Sequence, residues 1–304
     1  MEEGYGLTGY LKVSAIFVTI LFSISSASIL VLLSKATAVS CAFWRVFIAS
    51  LILWTVGLLR DGFGGFHPGG RTILYSIVSG GFLAAHFLLW MESLFMIPVS
   101  VSTTVVVTYP LLSVLIDRLI FKEEMSLLQI VGLLLGFIGV LLFMHPYVLA
   151  EGNIYGVLFS FGGALCAVGY FSMGRFVRKR TSLLGYTVWA YTSASVILLF
   201  YASVSGENLF KNPPQTYIYF LLLALIPMIG GHTLINYVLK YMKTSVATSV
   251  ALGEPIGASI LAYLILQQQM SVPKALVMAL VLTSIALTIS QERDLRRTRT
   301  RHKG

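Results

Sequence analysis

Apolar runs of about twenty residues follow one another along almost the whole chain, and the breaks between them are too short to hold a soluble domain. A run of that length, wound into a helix, matches the roughly 30 Å hydrocarbon thickness of a bilayer. In lipid each backbone N–H and C=O must be satisfied within its own segment, so the runs are confined to helices. Ten segments qualify: 13–34, 38–59, 72–95, 99–120, 127–145, 153–174, 183–204, 216–239, 245–266 and 272–290. Between them lie DGFGGFHPGGR, FKEEMS, HPYVLAEGN, RFVRKRT and SGENLFKNPPQ, with tight turns elsewhere. Only 11% of the 304 residues are charged, against about 25% in a soluble domain, which leaves too little charge to cover a water-facing surface. The expected fold class is an all-α polytopic membrane protein. The start, MEEGYGLTGYLK, runs into the first apolar stretch without an Ala-x-Ala-type cleavage site, so that stretch reads as a membrane helix and not a removable signal.

The basic residues set the orientation. With the N-terminus in the cytoplasm, Lys12, Arg60, Arg71, Arg118, Lys122, the cluster from Arg175 to Arg180, Lys240, Lys243 and the tail from Arg293 all fall inside. Lys35, Lys211 and Lys274 fall outside, and Arg45 lies within a span. The positive-inside rule therefore places both termini in the cytoplasm. The tail QERDLRRTRTRHKG accounts for much of the +9 net charge. It reads as an orienting segment that touches anionic lipid, and no nucleic-acid partner is expected. Cys41 and Cys166 sit inside apolar runs and read as small buried hydrophobes. No metal-type cysteine spacing exists, and no metal or other cofactor is expected.

The chain repeats itself after 145 positions. SVSTTVVVTYPLLSVLIDRLIFKEEMS (Ser100 to Ser126) falls without a gap on SVATSVALGEPIGASILAYLILQQQMS (Ser245 to Ser271). Pro110 lands on Pro255, and Met125-Ser126 on Met270-Ser271. Residues 1–148 thus form a first five-helix repeat, 149–290 a second, and 291–304 a basic cytoplasmic tail. Five is odd, so the second repeat enters the membrane in the opposite sense. The architecture is then ten transmembrane helices in two inverted five-helix repeats, the arrangement of transporters whose substrate site lies near mid-bilayer at the repeat interface.

Several polar residues fall at membrane depth. Pro110 and Pro255 occupy matching positions about ten residues into their helices, where proline frees a carbonyl one turn back. Ser100, Thr104 and Thr108, and likewise Ser245, Ser249 and Gly253, recur every fourth residue, which gives a narrow weakly polar face or a close helix contact. Glu254 lies about nine residues, or roughly 14 Å, from the inner end of its helix. A carboxylate there costs about 2.5–3.5 kcal/mol on insertion scales. Two readings fit it: a substrate-amine or proton site, or a structural hydrogen bond. Arg45 and Glu92 lie at similar depths near the outer ends of their helices, so they are expected to pair as an outer gate or a structural clamp. His86 and Trp90 share a helix face, as do His232 and Asn236, with Tyr237 nearby. With Trp44, Thr108 and Tyr109 they are candidates for an aromatic, weakly polar substrate pocket, or else structural side chains and interfacial anchors. GLLLGFIGV (Gly132 to Val140) carries a small-xxx-small pattern for close packing, within a monomer or in a homodimer.

GHTLINYVLKYMKTSVATSVALGEPIGASILAYLIL (Gly231 to Leu266) resembles the second-half signature of EamA-type transporters of the drug/metabolite transporter superfamily. FWRVFIASLIL and the run from Tyr109-Pro110 to Val140 resemble the other copy, and the resemblance covers nearly the whole chain. It implies a basket in which the first four helices of each repeat surround a cavity and the fifth is peripheral. It also implies export of small metabolites, amino acids and toxic amphiphiles among them, across a prokaryotic plasma membrane. The matching motif is Gly253-Glu254-Pro255. The chain departs from the family where Tyr109 replaces a common glutamate and where Gln267 to Gln269 replace a common acidic residue, which puts proton coupling in question.

The expectation is a secondary transporter that moves small organic metabolites, such as amino acids, by alternating access. The alternatives are a nucleotide-sugar or phosphate-ester exchanger, which would need basic residues at cavity depth, and a membrane receptor or scaffold. HExxH and G-x-S-x-G are both absent from the sequence, so an intramembrane enzyme is not expected.

Overall fold

The computed structural model describes residues 7–62, 66, 68–144, 153–266 and 272–301. The first six residues, most of HPYVLAEGN, the QQQMS connection with Gln267 to Gln269, and the last three residues of the tail lie outside them. Every regular element among the described residues is helical. In chain order these are α1 (Leu7–Ser25), α2 (Ala27–Ser34), α3 (Ala38–Asp61), α4 (Gly70–Met96), α5 (Val99–Val106), α6 (Tyr109–Leu119), α7 (Leu127–Met144), α8 (Ile154–Arg178), α9 (Leu183–Ser205) and α10 (Pro214–Leu223). A π-helical stretch, Ala224–Thr233, leads into α11 (Leu234–Val238). Then come α12 (Thr244–Thr248), a 3₁₀ turn at Ser249–Gly253, α13 (Glu254–Leu266) and α14 (Val272–Arg301).

Seven stretches among the described residues are long and apolar enough to cross a membrane: Leu11–Ser34, Ala38–Arg60, Gly70–Met96, Val101–Leu119, Ile154–Arg178, Leu183–Ser205 and Pro214–Val238. Leu127–Leu142 and Ala279–Gln291 are apolar but shorter. The expected span 245–266 is divided among α12, the 3₁₀ turn and α13. The chain is an integral membrane protein, and the uniform spans read from the sequence are in places composite.

Side chains set where the helices start and stop. Thr37 accepts the Ser40 N–H at 3.2 Å at the start of α3, and Ser182 accepts the Gly185 N–H at 2.9 Å at the start of α9. Ser126 and Gln129 cap one another's backbone N–H, both at 3.1 Å, before α7. Gly206 ends α9 with φ +74°, a conformation that suits glycine. Within the spans hydroxyls turn back to carbonyls one turn earlier, Thr55 to Leu51 at 2.9 Å and Ser76 to Thr72 at 2.8 Å, so they need no water in lipid.

Close approaches hold the bundle together. α4 packs between α8 and α9. At Gly80 a side chain would run into the Ala190 carbonyl and Ser193 Oγ of α9. A backbone carbonyl cannot swing aside, so Gly80→Leu is expected to cost about 1–3 kcal/mol or to prevent folding. A thermal melt in detergent reads the loss, with Gly80→Ala intermediate. On α7, Gly132, Gly136 and Gly139 lie against Thr288, Ser284 and Val281 of α14. The small-xxx-small face is therefore used inside the chain.

Candidate functional site

Two interrupted helices meet at the centre of the bundle. α5 ends at Val106, the chain turns through Val107 and Thr108, and α6 begins Tyr109-Pro110. In the other copy the 3₁₀ turn ends at Gly253 and α13 begins Glu254-Pro255. Proline tolerates the first turn of a helix, where its missing N–H costs nothing, so each proline sits at the start of a new helix where the sequence read one continuous span. Both prolines are buried. They shape the breaks, while the residue before each, Tyr109 or Glu254, faces a hollow.

That hollow measures about 20 Å³, room for about one water. Ile24, Ala27, Val106 and Tyr109 supply its apolar walls, and Arg45, His86, Trp90, His232 and Glu254 its polar ones. The rings stack into one group. His86 lies parallel to Trp90 at 6.2 Å and 5.9 Å from His232, and His232 stacks on Phe171 at 5.5 Å. Tyr109 stacks on Phe171 as well, at 5.6 Å. His86 Nδ1 sits 2.9 Å from the Gly163 carbonyl, which makes Nδ1 the donor and leaves Nε2 as acceptor in the neutral ring.

Arg45 is 1% exposed and Glu254 6%. The Arg45 guanidinium lies over the Phe87 ring, 4.1 Å from its centroid. Its Nε and Nη1 have no hydrogen-bond partner, and neither do Trp90 Nε1 and His232 Nδ1. Arg45 and Glu254 feel one another's charge across the hollow without closing an ion pair.

The expected pairing of Arg45 with Glu92 is corrected. Glu92 is half-buried within reach of the charge of Glu207, while Arg45 turns inward to Phe87. Trp44 also lies away from the hollow. Its Nε1 donates to the Leu209 carbonyl at 2.9 Å, and its ring packs on Phe210, Tyr217 and Phe220. Thr108 spends its hydroxyl on the Val105 carbonyl at 2.8 Å. Asn236 is buried beneath His232, donating to Tyr170 Oη at 2.5 Å and to the His232 carbonyl at 2.8 Å. Tyr237 packs on Tyr241 at 38% exposure. Of the sequence candidates, His86, Trp90, Tyr109, His232 and Glu254 share the hollow, joined by Arg45.

One cluster has no place in the sequence reading. Asp117, at the end of α6, is fully buried and accepts four hydrogen bonds. Oδ1 takes the Thr244 N–H at 3.1 Å and Arg175 Nη1 at 2.7 Å. Oδ2 takes the Ser245 N–H at 2.8 Å and its hydroxyl at 2.6 Å. A carboxylate from one half of the chain thus caps the open N–H groups of α12 in the other. Arg175 also reaches Glu123 at 2.5 Å and lies over the Phe121 ring at 4.7 Å. At the opposite end of the bundle Glu207 accepts from the hydroxyls of Thr37 and Ser40, the latter at 3.0 Å. Each end of the bundle thus carries its own carboxylate-centred cluster.

Comparison with curated proteins gave no match. Among solved structures, a crystal structure of a protein aligns over 92% of this chain and 98% of its own with a TM-score of 0.75. At 15% identity that likeness speaks for the fold alone. The profile of the EamA-like transporter family matches twice, over residues 11–145 and again over 154–290. With both halves matched in turn, the chain belongs to the EamA-like transporter family, membrane transporters of small molecules.

Proposed function

We propose that the protein is a secondary transporter, an exporter of small organic metabolites such as amino acids, working by alternating access between two inverted five-helix repeats. The observation that carries this reading is the central hollow. It lies where the two interrupted helices meet, and buried polar side chains from both repeats face it. A cavity of about 20 Å³ holds no metabolite, so binding requires one end to open and transport requires the ends to open in turn. The positive-inside rule supports a cytoplasmic Asp117 end and an external Glu207 end. Proton coupling, if the cycle uses it, runs through Glu254, the one carboxylate among the described residues that lines the hollow.

Aromatic walls favour apolar or aromatic side chains on the substrate. The phosphate-ester reading gains Arg45 at cavity depth but meets Glu254 beside it. That carboxylate repels a phosphate dianion, so the reading stays second.

Proteoliposomes test the proposal. Labelled amino acids are expected to enter above the level of empty vesicles and to exchange with unlabelled amino acid inside. Cysteines placed at Ala27 and Val106, with Cys41 and Cys166 replaced, are expected to react with a membrane-impermeant thiol reagent. Saturating amino acid should change the reactive side. Neither flux nor a change of side would leave a binding protein in place of a carrier.

A further inference from the structure

The carrier reading leaves one question that the side chains around the hollow answer: which polar groups its ligand must carry. The donors there outnumber the acceptors. Arg45 Nε and Nη1, Trp90 Nε1 and His232 Nδ1 are buried with no hydrogen-bond partner. Each belongs to a residue at least nine-tenths buried that faces the same space. A buried donor left unmade costs about 1–3 kcal/mol, more when charged. Three such donors, on Arg45 and Trp90, with an unmatched ring nitrogen of His232 beside them, are a standing cost that packing does not explain. Moving the guanidinium toward Glu254 would lower it, yet no ion pair forms; Phe87 holds the guanidinium on its ring face.

We propose, on the basis of the carrier reading, that Arg45 is the residue by which the hollow recognises a substrate carboxylate, with Trp90 as a second donor, and that Glu254 takes the substrate ammonium. The ligand class is then a zwitterion with an apolar or aromatic side chain. Arginine suits this task because its planar fork offers a carboxylate two donors at once and stays charged when buried. Glu254 supplies the opposite charge from the other repeat, at the start of α13. The spacing between them is filled by the ligand, which completes both sets of hydrogen bonds. Neither charge alone selects a zwitterion, since an amine would satisfy Glu254 and an acid would satisfy Arg45. Together they reject each, because either analogue leaves one buried charge without a partner.

Three probes that share a side chain separate the terms: tryptophan, tryptamine without the carboxylate, and 3-indolepropionate without the ammonium. In proteoliposomes the wild-type protein is expected to transport tryptophan at least tenfold faster than either analogue. Arg45→Gln should lower tryptophan uptake by about tenfold or more while leaving tryptamine unchanged or raised. Arg45→Lys, which keeps the charge but not the fork, should recover part of the loss. Equal loss of all three probes in Arg45→Gln, or no discrimination by the wild-type protein, overturns the proposal. The wild-type discrimination and the lysine variant decide the matter if the glutamine variant does not fold. Transport of tryptamine or indolepropionate but no zwitterion overturns this proposal and keeps the carrier. No flux of any probe in wild-type protein, with no exchange of any amino acid, overturns both.

Discussion

Asp117→Ala is expected to lower stability by about 3–5 kcal/mol, the cost of breaking a buried ion pair by removing one partner. Arg175 is then left 2% exposed, with its charge answered only by the half-buried Glu123. The N–H groups of Thr244 and Ser245 lose their acceptor in the same step. Glu123 absorbs part of the damage, which places the result toward the lower end of that range. The measurement is a thermal melt of the protein in detergent, followed by tryptophan fluorescence. Asp117→Asn keeps one acceptor oxygen and should fall between wild type and alanine. Removing both charges, as Asp117→Leu with Arg175→Met, should cost less than Asp117→Ala alone, because no unpaired charge stays behind. A melting curve for Asp117→Ala that overlays the wild-type curve would show that the carboxylate holds nothing together.

Glu254→Gln is expected to abolish the response of transport to a pH gradient. The first repeat offers tyrosine at the matching place, and Arg45 and the neighbouring rings do not supply a second carboxylate to the hollow. A glutamine preserves the shape and the hydrogen-bonding oxygen but neither gains nor loses a proton. Tryptophan flux from loaded proteoliposomes, acid outside or pH equal on both sides, reads the effect. Wild-type flux should rise with the gradient, and whatever flux the variant keeps should be the same in both conditions. A variant that still follows the gradient would remove Glu254 from the coupling path.

Much of this was legible from the residues. The apolar runs announced a helical membrane protein, and the matched prolines fall where two helices break, although the sequence read each span as continuous. The pairing of His86 with Trp90 on one face follows from their spacing of four, and both line the hollow. Arg45 could not be placed from depth alone, because depth fixes a height in the membrane and says nothing of direction around the helix axis. Its long side chain turns inward to Phe87, and Glu92 remains near Glu207. Trp44 failed for a related reason: an indole satisfied by a loop carbonyl, here Leu209, looks the same in sequence as one that lines a cavity. Ile24, Ala27 and Val106 carried no signal, since wall residues without polar atoms resemble every other apolar residue in a bundle. Asp117 was missed because its partners, Arg175 and the start of α12, are too distant in sequence to be found by spacing.

The two carboxylate clusters at the ends of the bundle are unequal. At one mouth a single half-buried carboxylate, Glu207, is gripped by two hydroxyls. At the other, Asp117 has every lone-pair direction engaged and no contact with solvent. Thermal fluctuation will rupture the weaker mouth far more often. Under the proposed carrier cycle the Asp117 end is therefore the harder of the two to open, and its opening is expected to limit turnover.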